Sequence, residues 1–171
     1  MLRDVDTSDS KLLFSWRNSQ EVRSGLFTQE LLEFSTHCKW VESSIKSSNK
    51  NILIFEDDGH PCGFAQLDLH ANKTDVYQWG FYKAPGAAKG TGYRMLHEVL
   101  EYAFVTLSAS RVIGKVLGYN EASIKLHERL GFERQEIQRR HHRVAGEFHD
   151  VVIFDLTESR YFETSGGLNA N

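Results

Sequence analysis

The sequence predicts an α+β domain in which a mixed, mainly antiparallel sheet of about seven strands is flanked by about four helices. Three observations support this prediction. An aromatic-rich run of strand length, 76–82, ends at a Pro-Gly pair, as a strand bounded by turn residues should. Apolar residues recur at helical spacing over 91–107. The segment 57–61 contains an Asp-Gly pair and is typical of a tight hairpin turn between two further strands.

The predicted elements follow one another with short connections and no internal repeat. In the first half, a strand, two helices and two more strands are predicted at 2–5, 10–17, 36–47, 51–56 and 62–69. In the second half, a strand, a long helix and a strand are predicted at 75–82, 91–107 and 111–116, followed by a helix led by Asn120 and a terminal hairpin at 132–142 and 148–156. Apolar periodicity separates the helices from the strands.

The composition is that of one ordinary domain. At 171 residues, 40% of them hydrophobic, with a mean hydropathy of -0.43, the chain is long enough to bury its own core. We expect one domain over 1–162 and a flexible C-terminal tail over 163–171. The sequence lacks the run of roughly 18 apolar residues that spans a bilayer and the pattern of a signal peptide. We therefore expect a cytoplasmic protein without membrane contact.

Charge and cysteine content exclude other classes of protein. With 20 basic and 23 acidic residues the net charge is -3, whereas nucleic-acid binding requires a basic surface. Cys38 and Cys62 show neither a disulfide framework nor zinc-site spacing, so we expect buried thiols. The eight histidines form no ligand pattern either, and no metal is expected.

A glycine-rich turn, 87–93, follows the aromatic strand and opens the long helix. Backbone N–H groups at a helix start have no partner within the helix, and the helix dipole is positive there. Such a turn therefore binds a pyrophosphate well. Glycines also serve turns without a ligand, and the turn matches neither the dinucleotide fingerprint nor the P-loop.

A second motif lies about thirty residues further on. Asn120 is a good N-cap residue, Gly131 a good residue for the helix end, and we expect Ser123, Leu126 and Leu130 to line the buried face between them. Alone, this motif predicts only a well-capped helix.

The two motifs, in this order and spacing, resemble the acyl-CoA-binding core of the GCN5-related N-acetyltransferase (GNAT) superfamily. The resemblance covers roughly residues 75–133. It implies that acetyl-CoA is the co-substrate, lying between splayed fourth and fifth strands. By the same resemblance the cofactor-binding residues are Phe81, Ala87, Lys89, Gly90, Thr91, Gly92, Tyr93 and Asn120.

Two positions depart from the family pattern. Ala87 stands where Gln or Arg is usual, so backbone amides must suffice there. His127 stands where the family usually has a Tyr that protonates the departing thiolate. We take His127 as the candidate acid, with Tyr119 as an alternative donor and Tyr93 as a further one; the other interpretation of His127 is a packed or solvated side chain.

The first third of the chain selects the acceptor. Its residues 13–18, 22–23 and 37–40 resemble the PseH-like amino-sugar N-acetyltransferases of pseudaminic acid biosynthesis. The resemblance implies acetylation of the 4-amino group of a UDP-linked 4-amino-4,6-dideoxy-N-acetylhexosamine. A nucleotide sugar requires cations and aromatic walls, and Arg17, His37 and Trp40 are the candidate substrate-binding residues. The alternative is that Trp16 and Trp40 anchor the core and that Arg17 is a surface ion-pair partner.

Two alternatives remain open from the sequence. One is a protein acetyltransferase that acts on an N-terminal amine or a lysine, as in the ribosomal-protein acetyltransferases. The other is a non-catalytic CoA-binding domain, which the absent Tyr favours. The sequence also leaves homodimerisation open.

Overall fold

The computed structural model describes residues 1–166, with side chains through residue 164. Seven strands are present: β1 (Leu2–Asp4), β2 (Lys50–Asp57), β3 (His60–Leu69), β4 (Val76–Lys83), β5 (Arg111–Leu117), β6 (Glu133–Val144) and β7 (Glu147–Thr157). The α-helices of the described residues are α1 (Ser10–Asn18), α2 (Gln20–Arg23), α3 (Phe34–Lys46), α4 (Thr91–Glu101), α5 (Glu121–Arg129) and α6 (Glu158–Gly166).

The strands form one mixed sheet in the order β1-β2-β3-β4-β5-β7-β6. β4 and β5 pair in parallel, with Val76 opposite Arg111 and Gln78 opposite Ile113. The pairs β1/β2, β2/β3, β5/β7 and β6/β7 are antiparallel. The predicted α+β class, the seven strands and the mainly antiparallel sheet are therefore confirmed.

Chain contacts divide the protein into two compact units. Unit 1 comprises Met1–Asp68 and Trp79–Val99, and unit 2 comprises Leu69–Gln78 and the chain from Leu100 onward. In unit 1, α1 and α3 pack on β2 and β3 through a core of Leu13, Trp16, Val41, Ile54 and Phe64. This core holds α1 and α3, the two helices that carry the candidate acceptor residues.

In unit 2 the core is built from β5, β7 and α5. Its most buried side chains include Leu117, His127, Phe154 and Leu156. The predicted buried face of α5 is partly wrong, because His127 and Leu130 are buried while Ser123 and Leu126 are half-buried. His127 lies about one helical turn after Ser123, and its ring contacts Phe154 of β7.

The long helix and the C-terminus differ from the prediction. α4 ends at Glu101 and continues as one π-helical turn, Tyr102–Thr106. α6 extends to Gly166, so the first four residues of the predicted tail are helical; residues 167–171 lie outside the described residues. The ring of Tyr161 stacks on Phe104 at 4.7 Å and anchors this helix.

Two smaller differences from the prediction concern helix α2 and the two cysteines. The helix α2 was not predicted; it is only four residues long and is capped by Ser19, whose side chain accepts from Val22 N–H. Cys38 and Cys62 are free thiols but half-buried, so the expectation that both are buried is wrong.

Candidate active site

The predicted pyrophosphate turn lies in unit 1 and leads into α4 at Thr91. It is closed by backbone hydrogen bonds: Ala87 N–H donates to the Ala84 carbonyl at 3.0 Å, and Thr91 N–H donates to the Ala88 carbonyl at 3.2 Å. Thr91 is 1% exposed, so it fixes the helix start from inside. The turn therefore presents its backbone from a rigid base.

Gly90 in this turn and Gly86 just before it leave room for a ligand to approach the backbone. Gly90 has φ +91 and Gly86 has φ +73, a region that L side chains rarely adopt. A Cβ built at either position would meet no atom within 4 Å. Open space beside the backbone at a helix start suits the diphosphate of coenzyme A, so these residues fit the co-substrate that the sequence implies.

Two residues that the sequence analysis missed brace the turn. The carboxylate of Glu21 accepts from Gly86 N–H at 3.2 Å and lies 3.5 Å from Lys83 Nζ. Lys83 also donates to the Ala87 carbonyl at 3.4 Å. Glu21 belongs to α2, more than sixty positions away in sequence, so no local pattern signals this contact.

The other predicted cofactor residues of unit 1 are side chains at its surface or in its core. Phe81 of β4 is half-buried and its ring lies 5.2 Å from Trp79. Lys89 is exposed. Tyr93, in the first turn of α4, faces His97 with ring centroids 6.4 Å apart. Their roles toward coenzyme A stay predictions.

The three candidate acceptor residues also come together in unit 1. His37 of α3 is 3% exposed and stacks on Trp40 at 5.8 Å. Burial lowers the pKa of His37, and the positive charge of Arg17, from α1, lowers it further. Arg17 Nη2 donates to the Thr28 carbonyl at 2.5 Å. The sequence analysis therefore selected residues from two helices that are neighbours in the structure.

An aromatic wall continues from these residues onto the sheet. Trp40 lies 6.2 Å from Phe64, and Phe64 stacks on Tyr82 at 5.0 Å. Burial raises the pKa of Tyr82, which keeps its hydroxyl neutral and able to donate. Burial also lowers the pKa of Arg17, although an arginine stays charged at neutral pH.

Asn120, Tyr119 and His127 lie in unit 2. Asn120 caps α5 as predicted, since its Oδ1 accepts from Ser123 N–H at 3.1 Å. Tyr119 is 44% exposed and its ring meets the edge of His149 at 4.9 Å. The capping bond occupies the side-chain oxygen of Asn120, while its contact with coenzyme A stays a prediction.

His127 is a packed residue in unit 2. It is 1% exposed, stacks on Phe154 at 4.9 Å and meets the edge of Phe132 at 5.1 Å. Its Nδ1 lies 2.8 Å from the Ser123 carbonyl. Burial lowers the pKa of His127 to about 4, partly offset by that hydrogen bond. The ring is therefore neutral at pH 7, and of the two interpretations left open by the sequence, the geometry favours packing.

No group of three or more His, Cys, Asp or Glu side chains suited to a metal occurs within the described residues. Within residues 1–166, no helix combines the length and apolarity needed to cross a bilayer.

The fold and the glycine turn are those of a CoA-dependent acetyltransferase. The sequence matches the family described as "Acetyltransferase (GNAT) domain" over residues 1–133. The chain therefore belongs to the GNAT acetyltransferase family. It is an N-acetyltransferase with acetyl-CoA as its co-substrate, which confirms the predicted family, enzyme class and co-substrate.

Three similar proteins are acetyltransferases, and the names of two of them state different acceptors. Acetyltransferase PseH of Campylobacter jejuni is 25% identical over 130 residues, covering 75% of this chain and 80% of that protein. A spermidine N-acetyltransferase from Vibrio cholerae, solved with CoA and spermine, has a TM-score of 0.88 at 19% identity, covering 95% and 97% of the two chains. A ribosomal-protein-alanine N-acetyltransferase from Brucella melitensis has a TM-score of 0.79 at 20% identity, covering 92% and 99%.

Proposed function

We propose that the protein transfers the acetyl group of acetyl-CoA directly to the 4-amino group of a UDP-linked 4-amino-4,6-dideoxy-N-acetylhexosamine. The observation that carries this proposal is the cluster of Arg17, His37 and Trp40 in unit 1, which combines a cation with aromatic surfaces. A nucleotide sugar presents phosphates, hydroxyls and flat rings, which such a set binds. The similarity to PseH agrees with the resemblance from which the sequence predicts this substrate class.

The reaction requires the acceptor amine in its neutral form. An alkylammonium has a pKa of about 10, so a base must remove one proton before the nitrogen attacks the thioester carbonyl. The new C–N bond forms as the C–S bond breaks, and the electron pair of that bond leaves with the sulfur. Holding both substrates together supplies much of the acceleration. In unit 1 the turn 87–93 would hold the diphosphate through its backbone amides.

The departing thiolate needs little assistance, because a thiol has a reference pKa of about 8.5. Of the three donors that the sequence offers, His127, Tyr119 and Tyr93, we propose Tyr119, whose phenol is partly exposed. His127 holds a neutral ring packed between Phe132 and Phe154, so it has no imidazolium proton to give at pH 7. His127 as an acid stays a prediction, tested below by its Phe variant.

The second candidate function is acetylation of a protein N-terminus or lysine. It is favoured by the similarity in fold to the ribosomal-protein-alanine N-acetyltransferase. A peptide acceptor needs an extended groove with backbone partners, whereas the Arg17, His37 and Trp40 cluster is compact, with His37 buried and the other two side chains half-buried. We therefore place it second.

The test compares acceptors under one assay. The protein is incubated with acetyl-CoA and either the UDP-4-amino sugar, an alanine-led peptide or spermidine, and released thiol is followed over time. We expect kcat/KM for the amino sugar to exceed that for either other amine by at least about 100-fold. Turnover of the peptide with none of the sugar would overturn the proposal and favour the second candidate.

A further inference from the structure

Two polar atoms of the acceptor cluster are buried without a hydrogen-bond partner among the described residues. They are Nη1 of Arg17 and Nε2 of His37. A buried polar atom that makes no hydrogen bond destabilises the folded protein. Among the described residues nothing completes the bonding of either atom, so the partner is a water or a group of a bound ligand.

The two atoms have opposite hydrogen-bonding character. A hydrogen bond from the His37 ring to the Ser10 backbone favours the protonated ring nitrogen there. Since Nε2 has no partner among the described residues, that bond uses Nδ1, and Nε2 carries the lone pair. Burial and the Arg17 charge both lower the pKa of His37, so the ring is neutral at pH 7. Nε2 therefore accepts, while Arg17 Nη1 only donates.

We propose that Arg17 and His37 together bind a hydroxyl group of the acceptor, whose oxygen accepts from Nη1 and whose hydrogen is donated to Nε2. The inference rests on the proposed function and makes it more specific. The ring of the proposed sugar has one free hydroxyl, at position 3, beside the amine that reacts. Binding that hydroxyl fixes the 4-amino group next to it.

Other ligand groups satisfy this pair less well. A phosphate or carboxylate accepts from Arg17 but has no hydrogen to give His37 when ionised. An ammonium group gives a hydrogen to His37 but cannot accept from Arg17, and the two positive charges repel. Among the described residues, the ionisable groups that act on Arg17 are Tyr82, Arg23 and Glu30. Since the Tyr82 hydroxyl is neutral at pH 7, one cation and one anion remain, and they leave no surplus of negative charge for a polyamine.

The surrounding rings suit a sugar. Phe14 and Trp40 flank the His37 ring at 5.7 Å and 5.8 Å. Flat apolar faces beside a small number of directed polar groups are the usual composition of a small-molecule site. The site is therefore expected to exclude spermidine, although the overall fold is shared with spermidine N-acetyltransferases.

The test uses the UDP-4-amino sugar and its 3-deoxy analogue. We expect wild-type kcat/KM to fall at least about 10-fold on the deoxy analogue. The variant His37→Phe keeps the ring contacts but has no Nε2, and it should use the two sugars equally well. The variant His37→Gln restores an acceptor oxygen and should regain part of the preference for the hydroxylated sugar.

Thermal unfolding and calorimetric binding of acetyl-CoA show that each variant is folded. Equal use of both sugars by the wild type would overturn the inference and indicate that the pair holds only a buried water; a preference that persists in His37→Phe would overturn it as well. If His37→Phe fails to fold, the wild-type comparison and His37→Gln decide. No turnover of either sugar, with turnover of spermidine or the peptide, would instead overturn the proposed function.

Discussion

His127 shows how one residue type supports two interpretations until its neighbours are known. At its position in the sequence it replaces a family tyrosine, which suggests an acid. In the structure its ring lies against Phe132 and Phe154, two residues that are not adjacent to it in sequence. Burial by such partners disfavours the charged ring.

The charge state of His127 makes stability depend on pH. Its pKa is about 4 when folded and about 6.5 when unfolded, so below pH 6.5 the unfolded chain binds the proton and the folded chain does not. The free energy of unfolding therefore falls as the pH falls. We expect the stability difference between wild type and His127→Phe to shift by about 2 kcal/mol from pH 7 to pH 5, against the wild type.

Chemical denaturation at both pH values measures this shift. The exposed His60, replaced in the same way, controls for loss of an imidazole. A stability difference that is independent of pH would contradict the buried neutral ring.

In the same preparations we expect kcat at pH 7.5 to change less than about 3-fold in His127→Phe. A general acid contributes about 100-fold or more, so a loss of that size would support His127 as the acid.

At the scale of elements, the glycine-rich turn at the start of α4 was predictable because its signal is local. Glycines with positive φ, a preceding strand and a following apolar stripe are all neighbours in sequence. The brace by Glu21 was not predictable, because α2 is a single helical turn whose sequence gives no periodicity. Contacts between distant segments depend on the fold, which sequence patterns describe only in outline.

The turn makes a direct prediction at Gly90. Since a Cβ there meets no protein atom within 4 Å, a short side chain has space, and its effect falls on the ligand. We expect Gly90→Asp to weaken coenzyme A binding by at least roughly 2 kcal/mol, or about 30-fold in Kd, relative to Gly90→Asn. Asn has nearly the same shape and meets the same backbone strain, so it isolates the charge.

Isothermal titration calorimetry with coenzyme A measures both variants. A dephospho form of coenzyme A that keeps the diphosphate should show the same difference in Kd between the two variants. Equal Kd values for the Asp and Asn variants would mean that the diphosphate lies elsewhere.

At the scale of the whole molecule, the class and the sheet followed from the order of the elements. Seven short apolar runs and interspersed amphipathic segments fit few architectures, and the matched family and the solved neighbours agree with that choice. The acceptor was harder to predict. Our proposal for the acceptor depends on Arg17 from α1 and His37 from α3. No spacing in the sequence indicates that each of these side chains has a buried atom without a hydrogen-bond partner among the described residues.

The most direct test of the account is a crystal structure with coenzyme A and the UDP-4-amino sugar bound. We expect diphosphate oxygens at about 3 Å from backbone nitrogens of the turn 87–93, and the sugar 3-hydroxyl between Arg17 and His37. A bound coenzyme whose diphosphate lies away from this turn would contradict the central claim.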